Sequence, residues 1–258
     1  MPPAPRILLV CEDTIIANLA ATMLQKPGYG LIGTVKSGDE ALLKTAVTVP
    51  DLVVMGTTIA GTMDAIDAAH YLYQIFHVPV LFIAGAKEGE KLARIKYAQP
   101  YGIVFCPFTD TQITTLADLA LYVHADRLPV LGKPPLGDSQ KMMELENEAV
   151  ILLDKRGRVL LFNTYGSWMV DQQIKKAFMR HWRDVMMFVS DATGEEVSDP
   201  VTEATRNMAG AIYDASISLV TMSSKRRKVI LKIRPIHDNH DRLIASVMSL
   251  KENKKTYM

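Results

Sequence analysis

Asp51-Leu-Val-Val-Met-Gly56 decides the fold. The four apolar residues run without interruption and end on a glycine. Continuous rather than alternating apolar character marks a strand buried on both faces, as in a parallel sheet. Thr57-Thr58-Ile59-Ala60-Gly61 reads as a turn, and a helical pattern resumes at Thr62. The same unit recurs on both sides. Short apolar runs at 7–10, 31–34, 80–83 and 103–105 predict strands, and the stretches 14–26, 37–45, 62–76, 88–99 and 110–125 predict helices. The first helix repeats Ile15, Ile16, Leu19, Met23 and Leu24 on one face and stops at Pro27-Gly28. Ser37 followed by Glu40 predicts a capping box. Connections this short admit only right-handed crossovers, so the expectation is a doubly wound, flavodoxin-like (βα)5 sheet over 5–125, with strand order 2-1-3-4-5.

Pro129, Gly132, Pro134, Pro135 and Gly137 then give residues 126–139 a linker composition. A short polar helix is expected at 140–148. Apolar runs at 149–153 and 158–163 flank Asp154-Lys-Arg-Gly157, a hairpin signature. A helical middle follows, through Trp168 and Trp182, with one more helix from Asp199-Pro200 to about 208. Three strands at 217–222, 228–236 and 242–250 close the chain, the last two joined at His237-Asp-Asn-His-Asp241. This order predicts an α+β domain over 140–253.

Composition limits the possible functions. At 48% hydrophobic and 22% charged, the 258 residues can bury proper cores. A net charge of +1 provides no global field for nucleic acid or an anionic membrane. Two cysteines fit a reducing compartment. The N-terminus lacks the apolar core of a signal peptide, and no apolar run approaches the roughly 20 residues of a membrane span. The expectation is a soluble cytoplasmic protein.

The first half resembles the receiver domain of two-component response regulators. The resemblance rests on Arg6-Ile-Leu-Leu-Val10, Ser37-Gly-Asp-Glu-Ala-Leu42, Pro50-Asp-Leu-Val-Val-Met55, Val78-Pro-Val-Leu-Phe82, and Tyr101-Gly102 through Pro107-Phe108. It implies a phosphoryl-accepting aspartate, an acidic Mg2+-binding pair, a hydroxyl and a lysine at the carboxyl ends of the strands. Aligned this way, the acceptor position is Gly56, the acidic pair is Cys11 and Glu12, the hydroxyl position is Ala84 and the lysine position is Cys106. A register one residue later makes the acidic pair Glu12 and Asp13 and restores none of the other groups. The switch aromatic of the family falls on Ile103. The resemblance therefore implies a pseudo-receiver that does not take a phosphoryl group. Cys11 and Cys106 share the vestigial pocket, which raises a redox pair or a soft-metal site. In the expected strand order their strands are not neighbours, and a disulfide needs Cα atoms within ~7 Å, so small apolar replacement is the preferred reading.

The second half resembles a PAS domain, through Ala149-Val-Ile-Leu-Leu-Asp154, Gly157-Arg-Val-Leu-Leu-Phe-Asn163 and the closing hairpin from Arg234-Pro-Ile-His-Asp238 to Arg242-Leu-Ile-Ala-Ser-Val247. The receiver–PAS layout resembles single-chain regulators of archaea. It implies signal transduction by protein–protein contact, without catalysis, cofactor or metal, with a sensor histidine kinase or another signalling protein as partner and with homodimerisation. Lys87, Lys91 and Arg94 on the fourth helix and Asp110 and Asp118 on the fifth are the expected interface, read as opposite charges setting register. Lys225-Arg-Arg-Lys228 reads as a solvated turn before it reads as a DNA contact, and a transcription regulator is one alternative. A small-molecule sensor is the other, with Trp168, Phe178 and Trp182 either lining a ligand pocket or filling the core. His237 and His240 lack a third metal ligand at useful spacing.

Overall fold

The computed structural model describes residues 4–25, 28–85, 89–131, 139–206, 210–237 and 241–253. The chain divides into two compact units, Met1–Gly137 and Asp138–Met258.

In the first unit, β1 (Arg6–Val10), β2 (Gly30–Val35), β3 (Leu52–Gly56), β4 (Val80–Gly85) and β5 (Gly102–Cys106) form a parallel sheet in the order β2-β1-β3-β4-β5. Between them run α1 (Thr14–Gln25), α2 (Gly38–Thr48), α3 (Ala65–Phe76), α4 (Gly89–Ile95) and α5 (Asp110–Leu131). Every residue of β3 is buried, as the unbroken apolar run predicts. Ile7, Leu9, Leu52, Val54, Leu81, Ile83 and Val104 point to one side of the sheet, where they meet Ala17, Ala20 and Leu24 of α1 and Ile113, Ala117 and Ala120 of α5.

Several boundaries differ from expectation, each for a local reason. Helix α3 starts at Ala65 rather than at 62, because the Asp64 carboxylate accepts the Asp67 N–H at 2.8 Å and caps it. The expected capping box does not form: the Ser37 side chain makes no cap bond, and Glu40 accepts the N–H of Lys36, at 3.1 Å, one residue before the cap. Helix α4 ends at Ile95 and tightens into a 3-10 turn, Lys96–Ala98, closed by Gln99 at φ 52°. Helix α5 runs to Leu131, past the expected end near 125. Its buried stripe, Ile113, Ala117, Ala120 and His124, carries the helix far enough that Pro129 removes one N–H only in the last turn.

The second unit contains a six-stranded antiparallel sheet. Its strands are β6 (Ala149–Asp154), β7 (Val159–Phe162), β8 (Met186–Ser190), β9 (Ala211–Thr221), β10 (Arg226–His237) and β11 (Leu243–Glu252), in the order β7-β6-β11-β10-β9-β8. The helices α6 (Ser139–Met143), α7 (Thr164–Val170), α8 (Ile174–Ala177) and α9 (Pro200–Arg206) complete it. Strand β8 follows the helical middle and was not among the expected strands. Met186 and Phe188 point into the core while Met187 is exposed, which is the two-residue period of a strand, and the pairing of Met187 with Val220 makes β8 the sheet edge. The polar connector forms only one helical turn, α6, and the following residues are held by the buried Asn163. Its carboxamide oxygen accepts the N–H groups of Val150 and Gly166 at 3.0 and 2.8 Å, and its nitrogen donates to the carbonyls of Met142, Leu145 and Glu148 at 3.3, 3.4 and 2.9 Å. In the β6–β7 hairpin, Asp154 accepts the N–H groups of Arg156 and Arg158, each at 2.8 Å, and Gly157 takes the left-handed φ of +74°.

Candidate functional site

The carboxyl ends of β1, β3, β4 and β5 surround a cavity of about 310 Å3. Parallel α/β sheets place their ligand sites at this edge, because the strand-to-helix loops converge there. Cys11, Glu12, Asp13, Gly56, Ala84 and Cys106 all line it, so the positions picked out by register meet in space.

Each side chain has a definite role. Gly56 ends β3, with its neighbour Thr57 donating its N–H to Ile83 at 3.0 Å. Its φ is not left-handed, and a Cβ built on it would lie 3.2 Å from the Thr58 carbonyl oxygen and 3.5 Å from Cys11 Sγ. The backbone therefore does not demand glycine. Cys11 is 4% exposed and its thiol donates to the Asp13 carbonyl at 3.3 Å. Burial, the largest effect, pushes its pKa up, and the charges of Asp13 and Glu12 push the same way. A neutral thiol thus stands where a Mg2+-binding carboxylate is expected. Asp13 caps α1, accepting the N–H groups of Ile15 and Ile16 at 2.8 and 3.1 Å. In the alternative register one of its two carboxylate oxygens, Oδ1, is therefore taken up by a helix terminus. Ala84 is fully buried and presents a methyl group. Cys106 ends β5, half-buried, before a cis peptide bond to Pro107. Strands β3 and β4 lie between β1 and β5, and neither cysteine is in a disulfide. Among the described residues no three His, Cys, Asp or Glu side chains are grouped to hold a metal ion.

The expected charged interface is not one face. Lys91 Nζ donates to Thr58 Oγ1 at 2.6 Å, and Thr58 lines the cavity. Arg94 pairs with Asp64, the cap of α3, at 2.8 Å. Both cations of α4 therefore tie it to the loop that follows Gly56. Asp118 accepts the Tyr29 hydroxyl, just before β2. Eight residues along an α-helix rotate by about 80° beyond two full turns, so Asp118 leaves the direction of Asp110, the half-buried first residue of α5. Lys87 lies outside the described residues. Ile103, at the switch position, is half-buried on β5 opposite Phe82. Thr58 as a pocket residue, and the bond that Lys91 makes to it, were missed. The signal was the Thr57-Thr58 pair beside Gly56, but Lys91 reaches it across 33 positions.

In the second unit the basic turn lies between β9 and β10 as expected, but its charges are matched. Lys225 meets Asp171 at 2.8 Å, Arg226 meets Asp191 at 3.0 Å, and Arg227 lies 3.7 Å from Glu252 with its guanidinium 3.9 Å over the Trp168 ring. Lys225 and the Ser223 hydroxyl hold the Asp171 carboxyl below its usual range. A hydrogen bond from Ser218, then Arg226 and Lys228, does the same to Asp191. Trp168 is 48% exposed, so it does not wall an interior pocket; Trp182 is buried against Phe188, and Phe178 is half-buried. His237 ends β10, Asp241 is exposed, and His240 lies outside the described residues.

No protein-family model matches the chain. Over 118 residues it is 26% identical to the transcriptional regulatory protein PdtaR of Mycobacterium tuberculosis, covering 45% of this chain and 57% of that protein. Over 120 residues it is 23% identical to the phyllosphere-induced regulator PhyR of Methylorubrum extorquens, covering 46% and 44%. The chain thus spans about half the length of these curated relatives. Among solved structures, the receiver domain of a modulated diguanylate cyclase from Desulfovibrio desulfuricans aligns at 22% identity and TM-score 0.47, over 48% of this chain and 99% of that one. The relatives together with the sheet order make the first unit a response-regulator receiver-like domain.

Proposed function

We propose that this chain is a response-regulator-like signalling protein that acts by protein–protein contact and accepts no phosphoryl group. The carrying observation is the pocket itself. Gly56, Cys11, Ala84 and Cys106 place no nucleophile, no Mg2+-binding pair, no hydroxyl and no ammonium at the positions where phosphoryl transfer needs them. Of the two hydroxyls beside Gly56, that of Thr58 is already taken as an acceptor by Lys91 Nζ at 2.6 Å. The receiver-like unit then serves as a docking body for a sensor kinase or another signalling partner, and the chain is not an enzyme. The second unit is a PAS-like module. Two strands, a helical middle and β9–β11 follow one another in the chain, and β8 extends the sheet beyond them. No helix among the described residues is long and apolar enough to cross a membrane. Direct DNA reading through the β9–β10 turn is not part of the proposal, because its cations face carboxylates of the same chain.

The test is incubation with acetyl phosphate and Mg2+, and separately with beryllofluoride and Mg2+. Intact mass and hydrogen exchange of residues 57–64 are then measured. No adduct and no change in exchange are expected; a stable phosphoryl adduct on the first unit would refute the proposal.

A further inference from the structure

The outer face of the second sheet carries three exposed cations that form no ion pair among the described residues. On β10, Leu231 and Ile233 point into the core, so Ile230, Lys232 and Arg234 point outward. Register places Ile212 of β9 and Ser249 of β11 beside Lys232, and Lys251 of β11 beside Ile230. Lys232, Arg234 and Lys251 are exposed and make no ion pair among the described residues. Ile212, 69% exposed, lies among them. A basic face interleaved with aliphatic side chains and without an aromatic ring lacks the stacking platform of a single-strand nucleic-acid surface. It fits an acidic segment carrying an apolar side chain.

The chain itself contains such a segment. Leu145-Glu146-Asn147-Glu148 precedes β6, with Leu145 and Glu146 exposed and Glu148 half-buried. Asn163 pins it from both ends through the carbonyls of Leu145 and Glu148, so it is presented as a fixed shape rather than a loose tail. Within one chain, β11 separates β6 from Lys232 and Arg234 of β10; Lys251 lies on β11, one residue beyond the Leu250–Ala149 pair, and no ion pair joins it to Glu146 or Glu148 among the described residues.

We propose that a second copy of this chain is the partner: the 145–148 segment of each copy docks on the Lys232–Arg234–Lys251 face of the other. A two-fold axis makes the contact isologous, using both pairs of complementary surfaces. Leu145 meets the aliphatic stripe around Ile212, and the carboxylates set register. Individual exposed ion pairs contribute little, so the dimer is weak and salt-sensitive, and its specificity comes from charge matching. It does not depend on the proposal that the receiver-like unit is silent, since it involves no residue of that unit.

The experiment is sedimentation equilibrium of the full chain at low and high NaCl, with two charge-reversed variants. K232E/R234E leaves the acidic segment intact, and E146K/E148K leaves the basic face intact. Wild type dimerises at low salt, and dissociation rises about tenfold or more at high salt. Each variant alone is monomeric, because like charges face each other. An equimolar mixture of the two forms a heterodimer, because both contacts regain opposite charges. The proposal falls if wild type is monomeric at low salt, if its dimer survives either variant, or if the mixture stays monomeric while circular dichroism shows both variants folded. Binding of a duplex or single-stranded oligonucleotide by monomeric wild type overturns it in favour of a different occupant.

Discussion

Replacing Gly56 by aspartate returns the missing carboxylate without its surroundings, which separates the two. The backbone there accepts an L-residue, with the Thr58 carbonyl giving by a few tenths of an ångström. Removing glycine's freedom from the unfolded chain contributes about 0.4–1 kcal/mol in favour of the fold. Placing a carboxylate at a buried strand end, beside Cys11 and near Glu12 and Asp13, costs about 1–3 kcal/mol. Gly56→Asp is therefore expected to lose about 1 kcal/mol net, within a kcal/mol either way. Charge-assisted hydrogen bonds of the kind that Ala84 and Cys106 cannot make contribute about 1.5–3 kcal/mol each. Without both, phosphorylation by acetyl phosphate and Mg2+ is slowed by about 10²–10⁴-fold. The reference is the combined variant Cys11→Asp, Gly56→Asp, Ala84→Thr, Cys106→Lys. Intact mass over time reads both proteins, and thermal unfolding confirms that both are folded. The expected result is a phosphoryl adduct on the combined variant and none on Gly56→Asp in the same interval. Equal rates for the two would show that the remaining pocket is competent and that the lost neighbours are irrelevant.

Two further outcomes concern the second unit, which contains both tryptophans and is therefore followed selectively by their fluorescence. Asn163→Ala removes the cap of α7 and leaves the Val150 and Gly166 N–H groups unpaired, which costs about 3 kcal/mol; urea unfolding should show it as a lower midpoint, with Asn163→Asp between the two because it keeps the acceptor and loses the donor. Asp191 and Asp171 titrate below their ordinary value, so their contribution is complete above the unfolded carboxylate pKa and is lost as pH falls through the folded one. The urea midpoint should hold from neutral pH to about 5 and fall below about 4, and Asp191→Asn should lower it at neutral pH while flattening the acid drop. An unchanged acid drop in that variant would remove Asp191 from the account.

The parallel sheet was legible because burial on both faces leaves an unambiguous mark: 52–55 could be read as a central strand, and every residue there is buried. The pocket was legible for the same reason, since strand ends are fixed by the strands. What could not be read depends on contacts between distant residues. Nothing local says that Lys91 reaches Thr58 or that Asp118 turns toward Tyr29. Strand β8 was hidden because Met-Met-Phe-Val is a short apolar run beside helical segments, and only the pairing partner Val220 decides its state. Trp168 was misread for a related reason, its burial being set by where Arg227 arrives.

The replacements in the pocket also change what the unit can do as a switch. A site crowded with carboxylates stores like-charge repulsion, which a bound cation or an added ligand relieves, and that relief drives a change of state. Here Cys11 belongs to the apolar core, Ala84 is fully buried, and Asp13 Oδ1 caps a helix. Little repulsion is stored, so little is available to release. The loop after Gly56, which a phosphoryl group would otherwise reposition, is instead held by Lys91 on Thr58 and Arg94 on Asp64. These bonds need no chemistry to form. A pocket with little stored repulsion and a loop already tethered favour one standing conformation. On the proposed reading, a signal through this unit comes from what docks on it rather than from what reacts within it.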